Sequence, residues 1–368
     1  MYCRHLLSFA FAASVAGDIV TISNTSPRLD AEGIIMDAHD GVIRQYGGLF
    51  HWYAMAYGPC NLSRADGCAG MFSPPHCGFQ QNHSIKLYTS RNLTDWRFVR
   101  DVFPVSARPR AIYFRPQVVY NAATSLYVLW VNSVPTFGPG GVPDYFAATY
   151  TVATSATPEG PFVLAAASVK LRFSKLGVGD LSLFVDPADS TAAYVAYAGW
   201  SAGVHAVSVE RLAPDFLSSL GATDPAQSSG VVTPDMYEAP LLFARHGSYY
   251  LSSGPVCCFC AAGAASHVWV APSPLGPWVD THTFIDPPGA ANASLLGAQN
   301  SFIVDLPLAG GGSATMWAGD RWGASPSPSG AFSETPQYWG ELLFNDSIVP
   351  PAVMPLSFVP SWSVDLAT

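Results

Sequence analysis

Charge is what this sequence has least of. Only 17 Lys and Arg stand against 26 Asp and Glu in 368 residues, a formal net charge of -9. A protein that holds a phosphate backbone needs clustered basic side chains to displace counterions, so the composition argues against a nucleic-acid partner. Long apolar runs are missing as well. No stretch reaches the roughly 18 apolar residues of a bilayer-spanning helix without a Gly, Pro or polar interruption, so no membrane partner is expected. Cysteine is scarce. Beyond Cys3 there are six, Cys60, Cys68, Cys77, Cys257, Cys258 and Cys260, an even set suited to disulfides in an oxidising compartment. Their pairing is left open. No His stands at finger-like spacing to either cluster, so no metal site and no cofactor are expected.

Aromatic residues and turn formers are abundant, with 10 Trp, 16 Tyr, 21 Phe, 32 Gly and 31 Pro. This favours an all-β protein of many short strands joined by tight turns. The first residues read Met1-Tyr2-Cys3-Arg4-His5, then an apolar run from Leu6 to Ala13, then small residues up to Ala16. That is a signal-peptide pattern over 1–16, and it predicts a secreted, extracellular protein. Six Asn-X-Ser/Thr sequons, at Asn24, Asn61, Asn82, Asn92, Asn292 and Asn345, are acceptors only on that route. Residues 17–29 read as a lead-in and 30–368 as one domain, expected to act as a monomer.

Internal repetition organises that domain. Five segments share a layout: AHDGVIRQYGGLFHWYAM, FRPQVVYNAATSLYVLWVN, GDLSLFVDPADSTAAYVAYA, YEAPLLFARHGSYYLSSG and GAQNSFIVDLPLAGGGSATMWAG. Each opens on a polar residue, runs through a short apolar strand, turns on Gly, Asn, Asp or Ser, and returns as an aromatic-rich strand. Aligned on the apolar residue three places later, Asp40, Arg115, Asp180, Glu238 and Gln299 fall in register, 58 to 75 residues apart. A unit of that size suits one four-stranded blade, and the sequence predicts a five-bladed β-propeller. A pair of β-sandwiches is the rival fold, but it gives no reason for a polar residue to recur at one strand position. In a propeller the innermost strands surround one axis, so the five heads converge on one mouth.

Three of those heads are carboxylic acids. Carboxyl groups that share a partly desolvated pocket repel when ionised, so one is expected to keep its proton near neutrality. A proton donor opposite an ionised carboxylate is the equipment of glycoside hydrolysis. Arg115 is placed to orient a carboxylate or a sugar hydroxyl. His39 is expected on the same axis, either lining the site or as a hydrogen-bonded core residue. Trp52, Trp130, Trp200 and Trp322 are candidate sugar-stacking faces, most of them expected in blade cores, with Trp200 and Trp322 taken as the substrate-binding pair.

Taken in order, one per blade, these phrases resemble glycoside hydrolase family 43, the five-bladed inverting propeller enzymes. GDLSLFVD and YEAPLLFARHGSYYLSSG look like that family's central blades. RLDAEGIIMDAHDGVI, FRPQVVYN and WAGDRW are similar to its exo-β-1,3-galactanase branch. The resemblance implies that Glu238 is the general acid and that Asp180 holds it and raises its pKa. It offers two candidates opposite them: Asp40, where the wider family has its general base, and Gln299, where the branch positions its water. An ionised carboxylate accepts a proton directly whereas an amide does so only through a less stable tautomer, so Asp40 is favoured with Gln299 assisting. The resemblance also implies substrate contacts from Phe114, Asp320, Arg321 and Trp322. Phe114 stands where the branch carries a sugar-binding Glu, and Gln117 where it carries Lys. The expected substrate is a galactan or arabinogalactan. An arabinofuranosidase or xylosidase of the same family, or a non-catalytic carbohydrate-binding propeller, are the alternatives.

Overall fold

The computed structural model describes residues 17–58, 81–139, 143–201, 203–257, 260, 262–290, 293–322 and 334–367. The expected signal segment 1–16, Cys60, Cys68, Cys77, Cys258 and the sequons at Asn61 and Asn292 lie outside them.

The chain folds as a five-bladed β-propeller. Blade one comprises His39–Tyr46, Leu49–Ala56, Ser84–Ser90 and Arg97–Asp101. Blade two comprises Ile112–Asn121, Leu126–Val134, Thr149–Ser155 and Val163–Val169. Blade three runs Val178–Asp186, Asp189–Ser201, Val204–Arg211 and Ser228–Val231. Blade four runs Tyr237–Arg245, Ser248–Pro255, His267–Ala271 and Val279–Phe284. Blade five has three strands, Gln299–Pro307, Ser313–Asp320 and Gln337–Glu341. Each sheet is an antiparallel meander in chain order. The innermost strands touch in a closed ring, with blade five packed back on blade one.

Local sequence dictates the hairpins. Gly47-Gly48 and His246-Gly247 occupy the left-handed region at both central positions, as a two-residue turn matched to strand twist requires. Between blades the packing is aromatic. Trp52 of blade one meets Trp96 and, across the seam, Trp339 of blade five in edge-to-face contacts 5.2–5.4 Å apart, all three fully buried.

The ring is locked by the ends of the described chain. Gly17–Ser23 pairs antiparallel with Ser361–Ala367 in unbroken register. Just beyond, the Asn24 side chain imitates a strand neighbour for blade five: its Nδ2 donates to Trp339 O at 2.9 Å and its Oδ1 accepts from Trp339 N at 2.9 Å. Asn24 is fully buried, and its Nδ2 is also bonded to Val359 O. This sequon therefore offers no free amide in the folded protein, unlike Asn82 and Asn345 at the surface.

Candidate active site

All five polar heads lie at one mouth of the channel, and each sits on or next to a break in its ladder. The pairing of every innermost strand slips at the head: between His39 and Val42, Phe114 and Gln117, Val178 and Leu181, Glu238 and Leu241, and Asn300 and Phe302. A bulge re-aims side chains that a regular pleat would send up or down the axis. The backbone confirms the distortion, with positive φ at Asp40 (50°), Arg115 (54°) and Ala239 (52°), conformations costly for residues with a Cβ. Gly41, at φ 81°, has no alternative, because a Cβ there would lie 2.1 Å from Tyr53 O.

The heads form two linked halves. In the first, Arg115 bridges two carboxylates, its Nε 3.3 Å from Asp40 Oδ1 and 3.0 Å from Asp180 Oδ1. Its Nη1 donates to Asn300 O at 2.5 Å, tying blade two to blade five. Asp40 takes a backbone anchor as well, its N–H donating to Asp320 Oδ2 at 3.1 Å. Burial pushes the Asp40 carboxyl up to about 7; Arg115 pulls it back, while Asp320 and Asp180 add to the rise.

In the second half, Glu238 Oε1 accepts from Cys257 N at 2.7 Å and from Gln299 Nε2 at 2.8 Å. Burial, then the charge of Asp180, pushes the Glu238 carboxyl up to about 8. Asp180 joins the two halves: its Oδ1 faces Arg115 and its Oδ2 accepts from Ala239 N, next to Glu238, at 3.1 Å. The amide orientation of Gln299 is fixed by chemistry. An indole N–H only donates, and Trp322 Nε1 lies 3.0 Å from Gln299 Oε1, so the amide NH₂ must face Glu238. Gln299 therefore supports Glu238, on the side of the site away from the expected role of assisting Asp40.

A carboxyl that holds its proton, a second poised to lose it near neutrality, and a shared open mouth are equipment for acid–base cleavage of a glycosidic bond. A family model described as "Glycosyl hydrolases family 43" matches residues 75–285, more than half of the chain. The chain belongs to glycoside hydrolase family 43. This family 43 enzyme is accordingly a glycoside hydrolase, of a family whose mechanism is inverting. Its fold is similar to that of an exo-β-1,3-galactanase from Phanerochaete chrysosporium solved with β-1,3-galactotriose. The two are 25% identical with a TM-score of 0.70, over 95% of this chain and 69% of that one. An exo-β-1,3-galactanase from Clostridium thermocellum is 20% identical with a TM-score of 0.71, over 94% and 67%. A β-1,3-galactosidase solved with galactodeoxynojirimycin is 20% identical with a TM-score of 0.68, over 93% and 99%. No curated protein matches the sequence significantly.

Several residues expected to touch substrate in the family 43 hydrolase stand behind the site instead. Asp320 is fully enclosed, accepting from Asp40 N and from Gln337 Nε2. His39 is equally enclosed, between Asp37 at 3.5 Å and Asp320 at 3.7 Å. Burial opposes its charge, yet the two carboxylates win and raise it to about 9, so a cation is stored under Asp40. Trp322 is 2% exposed and presents its indole edge to Gln299. Arg321 points away, to Leu296 O and across the Phe358 ring. These four act through Asp40, Gln299 and the chain closure, a consequence of burial that motif order alone does not reveal.

The open wall of the mouth comes from blades two and three. Half-buried Phe114 stacks on Tyr145 with rings 6.3 Å apart and 14° from parallel. Phe146, 61% exposed, leans on Trp200 at 5.5 Å. His205 packs against Trp200 at 4.6 Å and feels the charge of Asp180. Burial, with the charges of Asp180 and Glu238 adding to it, pushes the Tyr145 hydroxyl far up. Tyr145, Phe146, His205 and Asn300 carried no signal in the repeat, since Tyr145 and Phe146 lie in an inter-strand loop, His205 on the third strand of blade three, and Asn300 one residue past the head. Elsewhere, His267, Asp280 and His282 gather on the outer strands of blade four, where His267 Nε2 lies 2.6 Å from Asp280 Oδ1, a hydrogen-bond distance.

Proposed function

We propose that this family 43 hydrolase is a secreted enzyme that releases galactose from the non-reducing ends of β-1,3-linked galactan by inversion. Glu238 is the general acid on the leaving oxygen, and Asp40 is the general base on the attacking water. Asp180 and Arg115 hold the two at their separate tasks. The observation that carries the assignment is the Trp322–Gln299–Glu238 relay. The amide oxygen of Gln299 is taken by Trp322 and its NH₂ by Glu238, which leaves Asp40 as the group able to take a proton from water. The ionised base and the protonated acid coexist between about pH 7 and 8. The substrate rests on likeness to the P. chrysosporium exo-β-1,3-galactanase. The protein acts as a monomer on its polysaccharide, with no organic cofactor.

The Phe114–Tyr145 wall supports a second reading. An aromatic face beside the carboxylates suits a sugar with fewer polar demands at that edge, such as the pentose of a xylosidase or arabinofuranosidase. The test is sugar release from β-1,3-galactan, arabinogalactan and arabinoxylan, with the anomer followed by NMR. First-formed α-galactose from galactan supports the proposal. Pentose release alone moves the assignment to the second reading, and binding without turnover by wild type and Glu238→Gln alike makes the protein a binding module.

A further inference from the structure

The acid is held by a loop that carries a disulfide. Both donors on Glu238 act on the same oxygen, Oε1, and neither a backbone N–H nor an amide NH₂ can accept a proton there. The acidic proton of Glu238 therefore resides on Oε2. Where that oxygen points, and how firmly the ionised form is held, depends on Cys257 staying in place.

Cys257 is fixed from both sides. The preceding Val256 N–H donates to Met236 O at 2.8 Å, and the Cys257 carbonyl accepts from Gln299 Nε2 at 3.4 Å. Its sulfur is joined to Cys260, three residues on. Beyond Cys260 the chain is clamped to the start of blade five: Gly263 N donates to Cys260 O at 3.0 Å and Ala264 N to Ala298 O at 2.9 Å. Gly263 lies so close that a Cβ would come within 2.3 Å of Ala298 N, at a φ of 70°. The disulfide thus closes a short loop between the strand that bears the acid and the strand that bears Gln299. Cys257 is buried, whereas Cys260 is half-buried and open to attack.

We propose that the Cys257–Cys260 disulfide is a redox-sensitive positioning element for Glu238, whose reduction withdraws the Cys257 N–H from the acid and slows the enzyme. The proposal rests on the reading of Glu238 as the general acid. In the reduction, one dithiothreitol thiolate attacks Cys260 Sγ and Cys257 leaves as a thiolate that takes up a proton. The second dithiothreitol thiol then closes its ring and frees Cys260 as a thiol. Two electrons and two protons pass to the protein, and dithiothreitol becomes its cyclic disulfide. With the loop open, Glu238 loses a donor that stabilises its ionised form, so its proton is held more tightly.

The test is the pH profile of kcat/KM on β-1,3-galactobiose for oxidised wild type, dithiothreitol-reduced wild type and Cys257→Ser/Cys260→Ser, with folding checked by circular dichroism. The alkaline limb is expected to move up by about one pH unit in the last two, a donor's worth of differential stabilisation. The rate at the optimum should fall about tenfold, and dithiothreitol should have no effect on the double variant. A limb that stays in place in the folded double variant overturns the proposal. Should that variant not fold, wild type reduced and then alkylated carries the same test with the same two outcomes. A parallel assay of Glu238→Gln on 2,4-dinitrophenyl β-galactoside, whose leaving group needs no proton, keeps the two ideas apart. Sparing there upholds the acid and leaves the loop to be judged by the limb. Equal loss on both substrates sinks the reading of the acid itself and the proposal with it.

Discussion

The same five innermost strands line both ends of the channel, and the two ends have little in common. At the active end every strand is bulged, three non-glycine residues carry positive φ, and the side chains are Asp40, Arg115, Asp180, Glu238 and Gln299. At the far end the ladders are more regular and enclose a cavity of about 560 Å³ lined by residues such as Val119, Leu183, Leu241 and Phe302. Beside that cavity Arg44 spends its Nε and Nη2 on Val118 O of blade two and Leu183 O of blade three. Room alone thus does not make a site. What makes a site is the local abandonment of strand regularity, which stores strain and turns polar groups toward one point.

The largest test of this contrast is Glu238→Gln or Asp40→Asn. Each should lower kcat/KM by about 10²–10⁴-fold while the protein stays folded, the usual worth of a positioned acid or base. The wild-type profile should be bell-shaped, with apparent limbs near pH 7 and 8. Activity falls below pH 7 as Asp40 gains a proton and above pH 8 as Glu238 loses one. Thermal melts give the complementary reading. The Glu238 pKa is raised from about 4.3 in the unfolded chain, so stability is present at low pH and drains away as pH climbs toward 8. Glu238→Gln should therefore melt higher than wild type at pH 8.5 and gain nothing at pH 4; an equal difference at both would mean the strain is not electrostatic.

Smaller effects sharpen the picture. Arg115→Met should shift the acid limb upward, because Arg115 is what pulls the Asp40 pKa down, and should cost about tenfold or more in kcat/KM. Trp322→Phe releases the amide oxygen of Gln299 and should cost about three- to tenfold, the value of one hydrogen bond. Arg44→Met, at the far end, should leave kcat/KM within about twofold; a large loss there would erase the distinction between the two mouths.

Much of the architecture is legible in the chain because a propeller repeats itself. The polar head, the apolar step three residues later and the returning strand recur five times, and Ile43, Val118, Leu183, Leu241 and Phe302 all pair with the second strand of their own blade. Hairpin turns at Gly47-Gly48 and His246-Gly247 follow from backbone freedom alone. The heads were readable for the same reason, since a shared position in a closed ring is a shared place in space.

Sequence by itself therefore determined the all-β repeat, the five blades and the five converging heads, because each is a local pattern copied along the chain. Only the tertiary structure decided which way those heads act. That Gln299 turns its NH₂ to Glu238 depends on Trp322, 23 residues later; that Asp40 is anchored depends on Asp320. That Cys257 holds the acid, and that Asn24 closes the ring, depends on backbone from other parts of the chain. Hydrogen-bond direction and burial are properties of neighbours in space, and a linear pattern does not specify them.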